Sequence, residues 1–232
     1  MASPTKDAVE ALIANIGDVE RLTELHETIA GDSAGRRYGL EVLNKSGIVL
    51  LVACWEAFVE DLAQSAFDYM LLEATSHTTF PPRVLAKASQ GLKQAQDGRE
   101  IWKLAGDGWK AVLQAHRTEV LDEYIGKLNT PKPEQVNALM EALIGLSGLS
   151  SRWKWKGTSV ARASEKLTKL IELRGSIAHR VSPEEPVHKA DVVGYKDFVY
   201  RLAVKSSNAV RTHVGERTGQ FPWGKYKFGG VS

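Results

Sequence analysis

Ile48-Val49-Leu50-Leu51-Val52-Ala53-Cys54-Trp55-Glu56-Ala57-Phe58-Val59-Glu60-Asp61-Leu62 holds no charged side chain until Glu56. No proline occurs from residue 37 to residue 73, and Leu40, Leu43, Leu50, Leu51, Trp55, Phe58 and Leu62 keep a broad apolar stripe at helical spacing. The stretch reads as one long central helix over 37–73. Its nearly unbroken apolar run at 48–52 predicts cover on most sides, as for the middle helix of a bundle.

On the N-terminal side, Val9, Leu12, Ile13, Ile16, Val19, Leu22, Leu25 and Ile29 recur at steps of three and four and predict a helix over about 5–30. Gly31, Asp32, Ser33 and Gly35 break it, with Ser33 a reasonable N-cap for the next helix. On the other side, Pro81 and Pro82 open a further helix. Residues 99–128 read as one helix or two, broken near Gly106 and Gly108, and the loop at 129–133 leads to a short helix over 134–146 that Gly145 and Gly148 end. Residues 150–158 read as a loop or short extended segment. Leu167, Leu170, Ile171, Arg174, Ile177, Ala178 and Val181 share helical spacing up to Pro183, and a last helix is expected over about 189–214. No stretch alternates over strand length and no longer period repeats, so the expected class is all-α: one domain over 1–214, then a glycine- and aromatic-rich tail over 215–232 that lies against the body or stays partly mobile.

Composition narrows the chemistry. The single cysteine, Cys54, lies in the apolar run, which leaves no internal disulfide and no cysteine-based zinc site, and it is read as core rather than nucleophile. The opening residues lack a secretory pattern and the apolar run 48–55 is far short of the about 20 residues that span a bilayer; a cytoplasmic protein with no membrane partner is the expectation. Residues 1–150 hold 14 Lys/Arg against 21 Asp/Glu, whereas residues 151–232 hold 16 against 7. The basic third is where a polyanion would dock, or else the two parts attract one another within the fold or across a dimer. Phosphate-binding loops, zinc-protease and nucleophile-elbow motifs are absent, and the six histidines show no metal-ligand spacing, so no metal and no cofactor is expected.

The segment that stands out is Leu170-Ile171-Glu172-Leu173-Arg174-Gly175-Ser176-Ile177-Ala178-His179-Arg180. It places an arginine in the apolar stripe of a helix, where a charge is costly unless it is paired, and a histidine five residues later. Spacing alone leaves open an Arg174 that bridges to an acid in the bundle and a His179 that merely ends a helix. Arg152-Trp153-Lys154-Trp155-Lys156 interleaves cations with aromatics, which suits a nucleic-acid strand or, as the preferred reading, tryptophans anchoring a loop while the cations stay wet. The tail segment at 221–228 invites the same two readings, with packing preferred.

The 170–180 segment resembles the Arg-x4-His motif of HEPN domains. The 48–62 helix with its embedded Glu-Ala-aromatic, and Thr130-Pro131 followed by the helix at 134–146, are similar to two further segments of the RiboL-PSP-HEPN branch, so that the likeness spans residues 37–182. The resemblance implies a HEPN-type antiparallel bundle and a metal-independent endoribonuclease, plausible as a prokaryotic defence or toxin-type nuclease. By it, His179 is the general base toward a ribose 2′-hydroxyl and Arg174 holds the phosphorane oxygens. It implies RNA as substrate, a homodimer, and a regulatory partner or antitoxin. Five residues on an ideal helix are about 140° and about 7.5 Å apart, so one copy makes a poor site and pairing across a twofold completes it. Two positions depart from the pattern: Gly175 stands where a polar residue is usual, and Arg180 where glycine is common, adding a phosphate-binding candidate. Ser176 is the candidate to replace the missing polar group. Glu56 is expected to pair with Arg174, to orient His179, or to be a surface carboxylate. Arg152, Lys154 and Lys156 are the other RNA-binding candidates, and a non-catalytic module binding RNA or nucleotide is the rival reading.

Overall fold

The computed structural model describes residues 7–30, 40–125, 131–180 and 186–228, without the side chains of Ala30, Ile125, His179 and Arg180. The described elements are α1 (Ala8–Ala30), α2 (Glu41–Glu73), α3 (Pro82–Ala88), α4 (Gln90–Gln94), α5 (Gly108–Ile125), α6 (Pro133–Ile144), α7 (Val160–Arg180) and α8 (Lys189–Thr218). Short 3-10 turns lie at His77–Thr79, Gly98–Leu104 and Leu149–Arg152. The class is all-α; among the described residues extended pairing is confined to an isolated bridge between Trp155 and Thr158.

α2 is the axis. It packs against α1, α5, α6, α7 and α8 and buries Ile48, Leu51, Val52, Trp55, Phe58, Val59, Leu62, Phe67 and Met70 on several sides. Each such side chain removed from water contributes about 1.5–3 kcal/mol. That cover explains why a helix long and apolar enough by composition to cross a membrane is here the core of a bundle. Trp55 is fully buried, stacks on Phe58 at 5.5 Å, meets Trp153 edge-on at 5.9 Å, and donates its indole N–H to the Pro131 carbonyl at 3.1 Å. The loop before α6 and the loop before α7 are thereby tied to one residue of α2.

Helix ends follow the residue chemistry. Pro82 and Pro133 open α3 and α6, where a missing N–H is harmless. Gly145 closes α6 with φ 68°, and a Cβ there would stand 2.4 Å from Pro81 Cγ. Ser33 lies outside the described residues; described α2 begins at Glu41 after Leu40, which provides no side-chain cap. α8 starts with a capping box of His188 and Asp191 and runs to Thr218, four residues beyond the expected end at 214. Gly215 stays helical because its missing side chain makes room for the Phe221 ring, which a Cβ would approach to 2.4 Å. The chain after Gly219 then folds back onto the helices rather than leaving them: Asn208 and Arg211 of α8 bind the backbone of Tyr226 and Trp223, and the Tyr226 hydroxyl donates to Asp7 before α1.

Candidate active site

α7 is a helix for the reason its spacing suggests. Ser159 Oγ accepts from the Arg162 N–H at the start, and Ala163, Leu167, Leu170 and Ile171 form a buried stripe against α2. Arg174, four residues after Leu170, continues that stripe, and half-buried Leu173 and Ile177 flank it. Packing of the stripe therefore carries a guanidinium to the edge of the core, where it is half-buried.

Opposite it on α2 stands Glu56, between buried Trp55 and Phe58. Burial raises the Glu56 carboxyl above its ordinary value, the Arg174 charge pulls it down, and Glu60, one turn further along α2, adds to the rise. Glu60 is itself raised by burial and by Asp61. Glu56 Oε1 is buried and, among the described residues, accepts no hydrogen bond. The two groups sense each other without closing a contact ion pair, and Arg174 has no hydrogen-bond acceptor among the described residues. Among the described residues a fixed cation is thus left to take a ligand's oxygens, beside a carboxylate oxygen still open to a donor.

The backbone of His179 and Arg180 forms the last turn of α7; their side chains lie outside the described residues. Between Arg174 and His179, Gly175 is half-buried in the helix and a Cβ built on it would meet nothing within 4 Å. The glycine is not demanded by packing, since a Cβ is accommodated there. Ser176 is half-buried and donates its hydroxyl to the Leu173 carbonyl at 2.8 Å, so its proton is used within α7.

Arg152, Lys154 and Lys156 are exposed and do not join this cluster. They stand on the loop leading into α7, and the 14 residue steps from Val160 to Arg174 correspond to a rise of about 21 Å along an ideal helix. The loop is anchored by Trp153, fully buried with its indole N–H donating to Ser206 Oγ at 2.8 Å. Trp153 sits in the core, Trp155 is half-buried against it, and the cations stay in water. In the tail, Trp223 and Tyr226 are half-buried against the core while Phe221 and Phe228 are exposed, with Phe221 beneath the Arg211 guanidinium at 3.7 Å.

Two histidines have roles that spacing did not suggest. His116 of α5 and His213 of α8 donate from Nε2 to the carbonyls of Ala142 (3.0 Å) and Ile144 (2.8 Å), at the C-terminal end of α6, whose last carbonyls lack helical partners. Burial lowers both imidazoles below the ordinary histidine value. No sequence signal marks this, because the partners are 26 and 69 residues away. Among the described residues no cluster of three or more His, Cys, Asp or Glu has metal-holding geometry.

Neither a curated protein nor a solved structure matches the chain. Residues 14–210 match the RiboL-PSP-HEPN family, a span that runs from α1 through the Arg-x4-His helix to most of α8. With an all-α bundle built on α2 and the Arg174 motif on its flank, the chain belongs to the RiboL-PSP-HEPN family.

Proposed function

We propose that this chain is a metal-independent endoribonuclease acting as a homodimer on single-stranded RNA. One observation carries the reading: α7 holds Arg174 at the edge of the core beside Glu56, with no hydrogen-bond acceptor among the described residues. A permanently charged planar fork in that position suits a phosphate that gains charge during reaction. His179, five residues on, takes the proton of a ribose 2′-hydroxyl. The 2′-oxygen then bonds to phosphorus and the bond to the 5′-oxygen breaks, leaving a 2′,3′-cyclic phosphate. The departing 5′-oxygen receives its proton from the imidazole of the second copy, which is why one chain does not suffice. Glu56 keeps Arg174 oriented and is open to a donor from the paired site. Arg152, Lys154, Lys156 and Arg180 hold flanking phosphates.

Gly175 favours a second reading, a non-catalytic module that binds RNA or serves as a dimeric partner of a regulator, because the polar group usual after the arginine is absent. The test is incubation of the purified protein with single-stranded RNA in excess chelator. The nuclease reading expects fragments ending in cyclic phosphate, and no cutting where a 2′-deoxy nucleotide replaces the attacking ribose. Binding without fragments at any protein concentration selects the second reading.

A further inference from the structure

Two segments meet α8 from opposite directions. The loop carrying Arg152, Lys154 and Lys156 is fastened by Trp153 on Ser206 and by Trp155, whose ring lies 6.2 Å from Phe198. From the other direction the tail doubles back along α8: Arg211 Nε donates to the Trp223 carbonyl at 2.7 Å, Asn208 exchanges hydrogen bonds with the backbone of Tyr226, and Phe228 reaches Arg201 and Lys205. The Phe228 ring lies 5.6 Å from the Arg201 guanidinium and 5.5 Å from the Lys205 ammonium. On an ideal helix Lys205 is about two turns beyond Phe198 and only about 20° round from it. Loop and tail therefore border one strip of α8.

The strip gathers two cations on one ring, Arg201 and Lys205 on Phe228. Outside it some cations face carboxylates, as in Arg83 with Glu141, Arg117 with Asp68 and Lys196 with Glu20, while Lys87, Lys93 and Lys110 make no ion pair among the described residues. Among the described residues, Arg152, Lys154, Lys156, Arg201, Lys205 and Lys227 make no ion pair. Asp197, one turn before Arg201, is the nearby acid on α8, and it too forms no ion pair with Arg201. Two like charges gathered on one exposed ring, with more beside them, repel unless an anion sits among them. Phe228 is 43% exposed and Trp155 half-exposed, so part of each aromatic side chain reaches solvent beside the cations.

We propose that this strip of α8, the 152–156 loop and the folded-back tail is a platform for single-stranded RNA. The cations neutralise backbone phosphates and the rings of Phe228 and Trp155 receive bases, a combination that binds strands without sequence preference. The proposal rests on the RNA reading above and extends it, naming where a strand longer than the cleaved step is held. The platform connects to the motif through α7: Lys166 lies over Phe198 at 4.9 Å, and Arg174 is eight residues on, a rise of about 12 Å.

The test measures fluorescence anisotropy of a labelled, uncleavable 2′-O-methyl oligouridine of about 20 nucleotides against the full chain, as salt rises from about 50 to about 200 mM. The variant combines Lys154→Gln, Lys156→Gln, Arg201→Gln and Lys205→Gln. Each lost phosphate contact on a single strand removes about 0.7 from the slope of log affinity against log salt, so the slope is expected to fall by about 2 to 3 and low-salt affinity by at least about tenfold. Lys87→Gln with Lys93→Gln and Lys110→Gln, away from the strip, is expected to leave both unchanged. Lys154→Gln with Lys156→Gln alone is expected to lose about half the slope change, and serves if the fourfold variant fails to fold. Wild-type affinity and slope in a variant with wild-type melting overturn the platform, as does an equal loss in the control. Binding to phosphatidylserine vesicles with none to the oligomer overturns it in favour of a membrane surface. Because the oligomer cannot be cut, a wild type that binds it in the expected way yet cleaves no RNA defeats the nuclease reading and leaves the platform standing.

Discussion

Replacing Arg174 by methionine separates a catalytic from a structural role for the motif. The side-chain stem continues the stripe of Leu170 and Ile171, and methionine keeps that apolar volume while removing the charge. Among the described residues no hydrogen bond is lost; what disappears is a longer-range attraction to Glu56 across a half-buried edge. Attractions of that kind are worth at most about 1 kcal/mol, so melting should shift by no more than about 2–4 °C in a domain of this size. Catalysis should suffer far more. Loss of one preorganised group facing developing charge costs about 2.7–4 kcal/mol, or about 10²–10³ in turnover. The assay pairs a thermal melt with single-turnover cleavage of a labelled RNA in chelator. The reasoning is refuted if Arg174→Met loses several kcal/mol of stability with activity falling only in step with the unfolded fraction, or if it cleaves like the wild type.

Gly175→Asn should be tolerated, since a Cβ there meets open space and asparagine is a slightly better helix former than glycine, by a few tenths of a kcal/mol. If the missing polar group limits catalysis, the variant cleaves faster at equal or higher melting temperature; a destabilised variant would contradict the open space. Gly145→Ala should lose about 2 kcal/mol or more in urea unfolding, because alanine pays about 1–2 kcal/mol for the left-handed backbone and its Cβ meets Pro81 as well. Unchanged stability would show that α6 does not end as described. Acid should weaken the fold through His116 and His213. Burial lowers both in the folded chain, so the unfolded chain takes up protons first, and their contribution, complete above about pH 6.5, declines as pH falls through that value towards the lower folded values. Urea midpoints that fall between pH 7.5 and 5.5, and fall less in a His116→Gln/His213→Gln variant, bear this out; a flat profile contradicts it.

Much of the bundle was legible because its main helices carry an uninterrupted apolar period with proline or glycine at their ends: α2, α6 and α7 lie close to where the spacing put them. What was not legible depends on distant partners. The end of α8 shifted because Gly215 accommodates Phe221, a contact that exists only once the tail turns back. The short α4 is polar and largely exposed, so no period announces it, whereas Ile101, Trp102 and Leu104, read as the start of a helical stretch broken near Gly106, form a 3-10 turn ahead of α5. At the site, Arg174 stood out as a charge in an apolar stripe, whereas the place of Glu56 was undecided in sequence because only the packing of α2 on α7 sets which face it turns to Arg174. The pairing of Arg201 and Lys205 with Phe228 spans more than 20 residues and left no local signature.

The central claim is that an imidazole and a guanidinium on α7 cut RNA without metal. Its most direct test is cleavage of single-stranded RNA in excess chelator by wild type and by His179→Ala, with the mass of each in solution measured alongside. The account predicts cyclic-phosphate products from a wild-type dimer and none from an equally dimeric His179→Ala; cleavage that survives the substitution, or that vanishes from the wild type with the chelator, contradicts it.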